Sequence, residues 1–145
     1  MPMIDVYAAE GTFPRPREFA RALATRLMAI EQLPDIPLFR HNTAAFVHHL
    51  PADHLSNVSG SNAYVRVQVL TNQGALDRDK QLAVVRQLTE LVAEAAGDPS
   101  LTERTWVLLT EASDGGWGLA GHAHTNVELV SAARTQLAEI AKPVA

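Results

Sequence analysis

The chain has 145 residues, 47% of them hydrophobic and 19% charged, with a formal net charge of −4. That length suits one substantial core, and an acidic balance without a basic cluster argues against nucleic acid as the main partner. The sequence holds no cysteine, which excludes disulfides, thiolate nucleophiles and cysteine-ligated metals.

No apolar run approaches the ~20 residues of a membrane span. The N-terminus has neither the basic region nor the apolar stretch of a signal peptide, so a cytoplasmic protein without a membrane partner is expected. Residues 2–8 alternate, with Pro2, Ile4, Val6 and Ala8 on one face and Met3, Asp5 and Tyr7 on the other, a strand pattern. Gly11 to Pro16 breaks it, and Phe19, Leu23, Leu27 and Ile30 then recur at helical spacing. That helix runs to about Leu33, where Pro34 and Pro37 stop it. Residues 43–50 read as a second strand, followed by a turn at Pro51-Ala52-Asp53 and a polar linker over 56–62.

The order then repeats. Residues 63–70 form a strand with Val65, Val67 and Val69 on one face and Tyr64, Arg66 and Gln68 on the other. Gly74 breaks it, and Asp77 caps a helix with apolar positions Leu82, Val85, Leu88, Val92 and Ala95, which Gly97-Asp98-Pro99 ends. Residues 105–111 are the fourth strand. Asp114-Gly115-Gly116 signals a hairpin, and Thr125 and Glu128 have capping-box spacing for a last helix carrying Val127, Val130, Leu137 and Ile140.

Aligning Gly11 with Gly74 places Ile4 on Val67, Val6 on Val69, Phe19 on Leu82, Ala22 on Val85 and Phe46 on Leu109. The expected fold is therefore α+β. It is a tandem β-α-β repeat forming a four-stranded, mainly parallel-paired sheet with two helices on one face, plus a C-terminal hairpin and helix. Residues 1–55 and 62–112 are the halves of one domain that residues 113–145 complete. The other sheet face holds Met3, Asp5, Tyr7, Tyr64, Arg66, Gln68 and Leu70, and self-association would cover it. Pro2 falls opposite Val65, so only the first half can offer a terminal amine.

Pro2 heading a strand, the doubled β-α-β and the segment Thr105-Trp106-Val107-Leu108-Leu109-Thr110-Glu111-Ala112-Ser113-Asp114-Gly115-Gly116-Trp117-Gly118-Leu119-Ala120-Gly121 together resemble the tautomerase superfamily. That superfamily includes 4-oxalocrotonate tautomerase, malonate semialdehyde decarboxylase and cis-3-chloroacrylic acid dehalogenase. The resemblance covers about residues 2–124, and His48-His49-Leu50-Pro51-Ala52 sits where longer members place a strand and a proline-containing turn. It implies a homotrimer acting on a small-molecule substrate without cofactor or metal. It assigns catalysis to the amine of Pro2, freed by removal of Met1, and the aromatic wall of the pocket to Trp117. While Met1 is attached, the Pro2 nitrogen is an amide without basicity.

The family's usual substrate-carboxylate arginines near the strand–helix junctions are absent. Thr12 follows Gly11, the second junction reads Thr71-Asn72-Gln73-Gly74, and Trp106 replaces an arginine on the later strand. An anion site moved to Arg66, Arg40, Arg15 or Arg17 is the remaining expectation. Arg66 otherwise forms an ion pair on the sheet, with Asp5 as its partner. His48 is a pocket candidate or a plain hydrogen-bonded histidine, and Asp114 a water-orienting carboxylate or a turn residue. His122 and His124, even with His41, lack a third ligand at useful spacing for a metal. The leading expectation is keto–enol isomerisation by Pro2. The alternatives are decarboxylation or hydrolytic dehalogenation with cationic Pro2 and a water held by Asp114 or Glu111, and a non-catalytic trimeric binding protein.

Overall fold

The computed structural model describes residues 1–144. Strand β1 (Met3–Ala9) buries Ile4, Val6 and Ala8 completely and leaves Met3, Asp5 and Tyr7 half-buried on its other face. Helix α1 (Pro16–Ile30) starts on a proline, whose fixed φ and missing N–H suit a first turn, and buries Phe19, Leu23 and Leu27. A short helix, α2 (Pro37–His41), follows and leads into β2 (Ala44–Leu50). The polar stretch 56–62 is an ordered turn, in which the Asn57 carboxamide oxygen accepts from the backbone N–H groups of Ser59 and Ser61.

The second half consists of β3 (Val65–Asn72), α3 (Arg78–Ala96) and β4 (Thr105–Ala112). Asp77 caps α3 by accepting from the Lys80 N–H at 2.9 Å, and Gly97 ends it in the left-handed conformation, where a side chain would be strained. A small hairpin of β5 (Trp117–Leu119) and β6 (His122–His124) precedes α4 (Asn126–Ile140), which opens on the full Thr125–Glu128 capping box.

The sheet order is β2-β1-β3-β4. β1 and β2 are parallel, as are β3 and β4, while β1 and β3 meet antiparallel with Val6 opposite Val67. The two β-α-β halves are thus related by an approximate two-fold axis through the sheet centre. Ile4, Val6, Val67 and Val69 meet Leu23, Leu27, Val84, Leu88 and Val92 in the main core between the sheet and its two helices.

Three expectations need correction. Leu82 is 53% exposed and Val85 also lies outward, whereas Val84, Leu88 and Val92 are fully buried. The 84/88/92 row lies over the sheet, and periodicity alone does not separate it from the 82/85 stripe one step around the helix. On α4, Leu129 and Ala133 are buried while Val127, Val130, Leu137 and Ile140 are exposed. Finally, the repeat register slips. Gly11 and Gly74 correspond, both with positive φ directly after a strand, but Leu23 and Leu27 match Val84 and Leu88 in the core. Phe46 lies on the uncovered sheet face, while Val47 and Leu109 pack toward the helices.

Candidate active site

The antiparallel pairing of β1 and β3 sets Met3 opposite Leu70, so the start of β1 lies beside the end of β3. Met1 therefore reaches Asn72, whose side-chain oxygen accepts from the terminal amine at 3.3 Å. The same amine lies 3.7 Å from Glu31 Oε2, with both groups almost wholly shielded from solvent. Glu31 follows the last turn of α1, and its Oε1 has no hydrogen-bond partner.

Burial lowers the amine's pKa below its ordinary value, and the Glu31 charge pulls it partly back. Burial likewise raises the Glu31 pKa, opposed by the amine and by Lys80. Above this pair opens a cavity of about 360 Å³, lined by Leu33, Pro34 and Phe39 on one side, Gln73, Gly74 and Ala75 on another, and α4 on the third. Larger hollows, of about 690 and 710 Å³, run along the outer faces of α3 and α4, away from the terminus.

Pro2 is fully buried, and its carbonyl accepts from the Ala44 N–H at 3.3 Å. Trp117 is buried in a second apolar cluster with Met1, Ile36, Phe39, Leu129 and Ala133. The chain start and Trp117 thus share one neighbourhood, built by strand pairing below and by the hairpin and α4 above. Burial lowers the pKa of this amine and raises that of this carboxylate, which brings the two closer together and eases proton exchange between them.

Residues 64–126 match the family model described as Tautomerase enzyme. Among solved structures, the chain is similar to native fused 4-OT, with a TM-score of 0.69 and 16% identity over 83% of this chain and 94% of that one. It is similar to N1, a member of the cis-3-chloroacrylic acid dehalogenase family, with a TM-score of 0.68 and 18% identity over 97% and 92%. Malonate semialdehyde decarboxylase gives a TM-score of 0.64 and 15% identity over 90% and 97%. No curated protein matches the sequence. The second half thus matches the family model, and the whole chain shares the fold of these solved structures.

The other sequence candidates lie elsewhere. His48 Nε2 is 2.7 Å from Asp5 Oδ1, and its ring stacks on Tyr7 on the uncovered sheet face. Arg66 lies over the Tyr7 ring and donates to Gln68 rather than to Asp5. Arg40 is paired with Asp35 at 2.8 Å. None of the three lines the cavity. The Asp114 carboxylate accepts from the Asn126 N–H at 2.7 Å, tying the hairpin to the start of α4, and Glu111 accepts from the Gly74 N–H. His122 Nε2 meets Glu128, and His124 Nδ1 meets the His122 carbonyl. The groups that do line the cavity and that the sequence reading missed are Glu31, Asn72 and Arg134. Asn72 and Gln73 stand at the strand–helix junction that lacks the family's arginine, so the position is visible in the sequence while the role of its amides depends on the fold.

Proposed function

We propose that the protein is an isomerase in which the amine of Pro2, freed by removal of Met1, moves a proton between the carbon and oxygen ends of a small enolisable oxo compound. The supporting observation is the buried chain start, where Met1 lines a cavity together with Glu31 and packs in the Trp117 cluster, with Pro2 buried directly behind it. Pro2 itself does not line the cavity; removal of Met1 shifts the terminal nitrogen by one residue step, about 3.8 Å between Cα positions, and opens the space that Met1 fills above it. As base, the neutral amine takes a proton from the enol hydroxyl or the α-carbon, and as ammonium it returns the proton to the other end. Glu31 sets the protonation of the amine, and the apolar wall with Trp117 keeps water from competing.

The cavity also gives the decarboxylase or hydrolytic reading a specific carboxylate. Asp114 and Glu111 are occupied in loop hydrogen bonds, whereas Glu31 Oε1 is unpartnered, so Glu31 is the group to activate water beside a cationic amine. The apolar side chains Phe46, Leu70, Trp106 and Leu108 on the uncovered sheet face support a homotrimer, as in the fused 4-OT trimers of the same fold.

The test is ketonisation of phenylenolpyruvate by protein shown by intact mass to lack Met1. Pro2→Ala is expected to lower kcat at least about tenfold; equal activity removes Pro2 from the mechanism. Turnover confined to 3-oxo acids or haloacrylates selects the second reading, and none on any of these substrates selects the binding protein.

A further inference from the structure

Three charged groups line the cavity: the terminal amine, Glu31 and Arg134. The first two face each other. Arg134, on the exposed side of α4, has no carboxylate partner among the described residues, as is also true of Arg17, Arg21, Arg26, Arg66 and Arg78, and of these arginines it is the one that lines this cavity. Most of the remaining wall is apolar, including Leu33, Phe39, Leu129 and Leu137. Below it the Met1 side chain, only 2% exposed, fills a slot between Ile36, Phe39, Trp117, Leu129 and Ala133. Loss of Met1 empties that slot next to the cavity.

We infer that Arg134 is the anion-binding residue of this cavity, and that its ligand is a small monocarboxylate whose apolar arm takes the place of the Met1 side chain. The inference rests on reading the cavity as the site of the Pro2 amine. A guanidinium presents paired N–H donors that match a carboxylate. A single unpaired cation serves one carboxylate. A second would lie against apolar wall or the Glu31 charge, at a desolvation cost without compensation. The site therefore prefers a monoanion with an apolar arm to a dicarboxylate of the same length. The cavity lies at the small end of the range for small-molecule sites, which fits a ligand of that size.

The experiment is an NMR titration of Met1-free protein with hexanoate, adipate and hexanamide, using wild type, Arg134→Ala, Arg134→Lys and Pro2→Ala. Hexanoate is expected to bind more tightly than either comparator. Arg134→Ala should weaken it about tenfold, to the level of hexanamide, and Arg134→Lys should recover part of the loss. Protein keeping Met1, made with methionine aminopeptidase inhibited, should bind hexanoate about tenfold more weakly, because the slot is filled. The inference is overturned if wild type shows no hexanoate binding, if Arg134→Ala or retained Met1 leaves its affinity unchanged, or if adipate binds more tightly. Hexanoate binding that needs Arg134 and survives in Pro2→Ala, with no turnover by any form, removes the catalytic reading alone. Pro2-dependent turnover with hexanoate affinity and KM unmoved in Arg134→Ala removes the Arg134 assignment alone.

Discussion

Replacing Glu31 by Gln keeps the side-chain shape and removes the charge facing the Met1 amine. The amine then has two courses. Keeping its proton without a counter-ion, where neither partner reaches solvent, costs several kcal/mol, on the order of a broken buried ion pair. Releasing the proton costs about 1.4 kcal/mol at about pH 7, one unit below the ordinary amine value of about 8. The second is cheaper, so E31Q folds with a neutral amine. Below about pH 8 the unfolded variant binds a proton that the folded variant does not, and its stability therefore rises with pH through that window. Between about pH 6 and pH 8 the gain is at most about 2 kcal/mol. In the wild type, Glu31 draws the amine's pKa back up, so less of this gain remains. The raised pKa of Glu31 adds a stability loss with rising pH above its ordinary value, which opposes the gain further. Urea unfolding of the Met1-bearing chains at both pH values measures the two slopes. An E31Q slope no steeper than that of wild type refutes the reasoning.

Leu88→Ala should cost about 2–5 kcal/mol and Leu82→Ala less than about 1 kcal/mol in urea unfolding, since only Leu88 lies in the core; equal losses contradict the helix register. Trp106→Glu with Leu108→Glu places two charges on the uncovered sheet face and should yield a single folded chain by sedimentation velocity with an unchanged far-ultraviolet spectrum. An unshifted sedimentation coefficient removes this face from the assembly.

The strands and their order were legible because one covered sheet face imposes strict alternation, as in Ile4, Val6 and Ala8. The face presented by α3 was not. Leu82, Val84, Val85, Leu88 and Val92 offer two overlapping apolar stripes, and only the seating of the helix on the sheet chooses between them. Pro37 signals a stop in the sequence, yet it also opens α2, because proline ends one helix and suits the first turn of the next. Of the candidate site, the chain start is singled out by Pro2 behind Met1 and Trp117 by resemblance, and the fold packs Met1 and Trp117 in one apolar cluster. Glu31 and Arg134 were not legible, because one ends a helix and the other lies on an exposed helix face. Only the folded chain brings residues so distant in sequence to one cavity.

The approximate two-fold axis through the sheet has a consequence for stoichiometry. At the position matching Pro2, Val65 lies inside the chain and donates its N–H to the Arg104 carbonyl at 2.9 Å, an ordinary strand bond. Two folding units therefore offer one terminal amine between them, and under the proposed mechanism an amine-directed inactivator acting at this site saturates at one equivalent per chain, not one per β-α-β unit. In the proposed ring of three such chains, only every second quasi-equivalent position would carry a titratable terminal amine. The unreactive positions are free to carry structure alone.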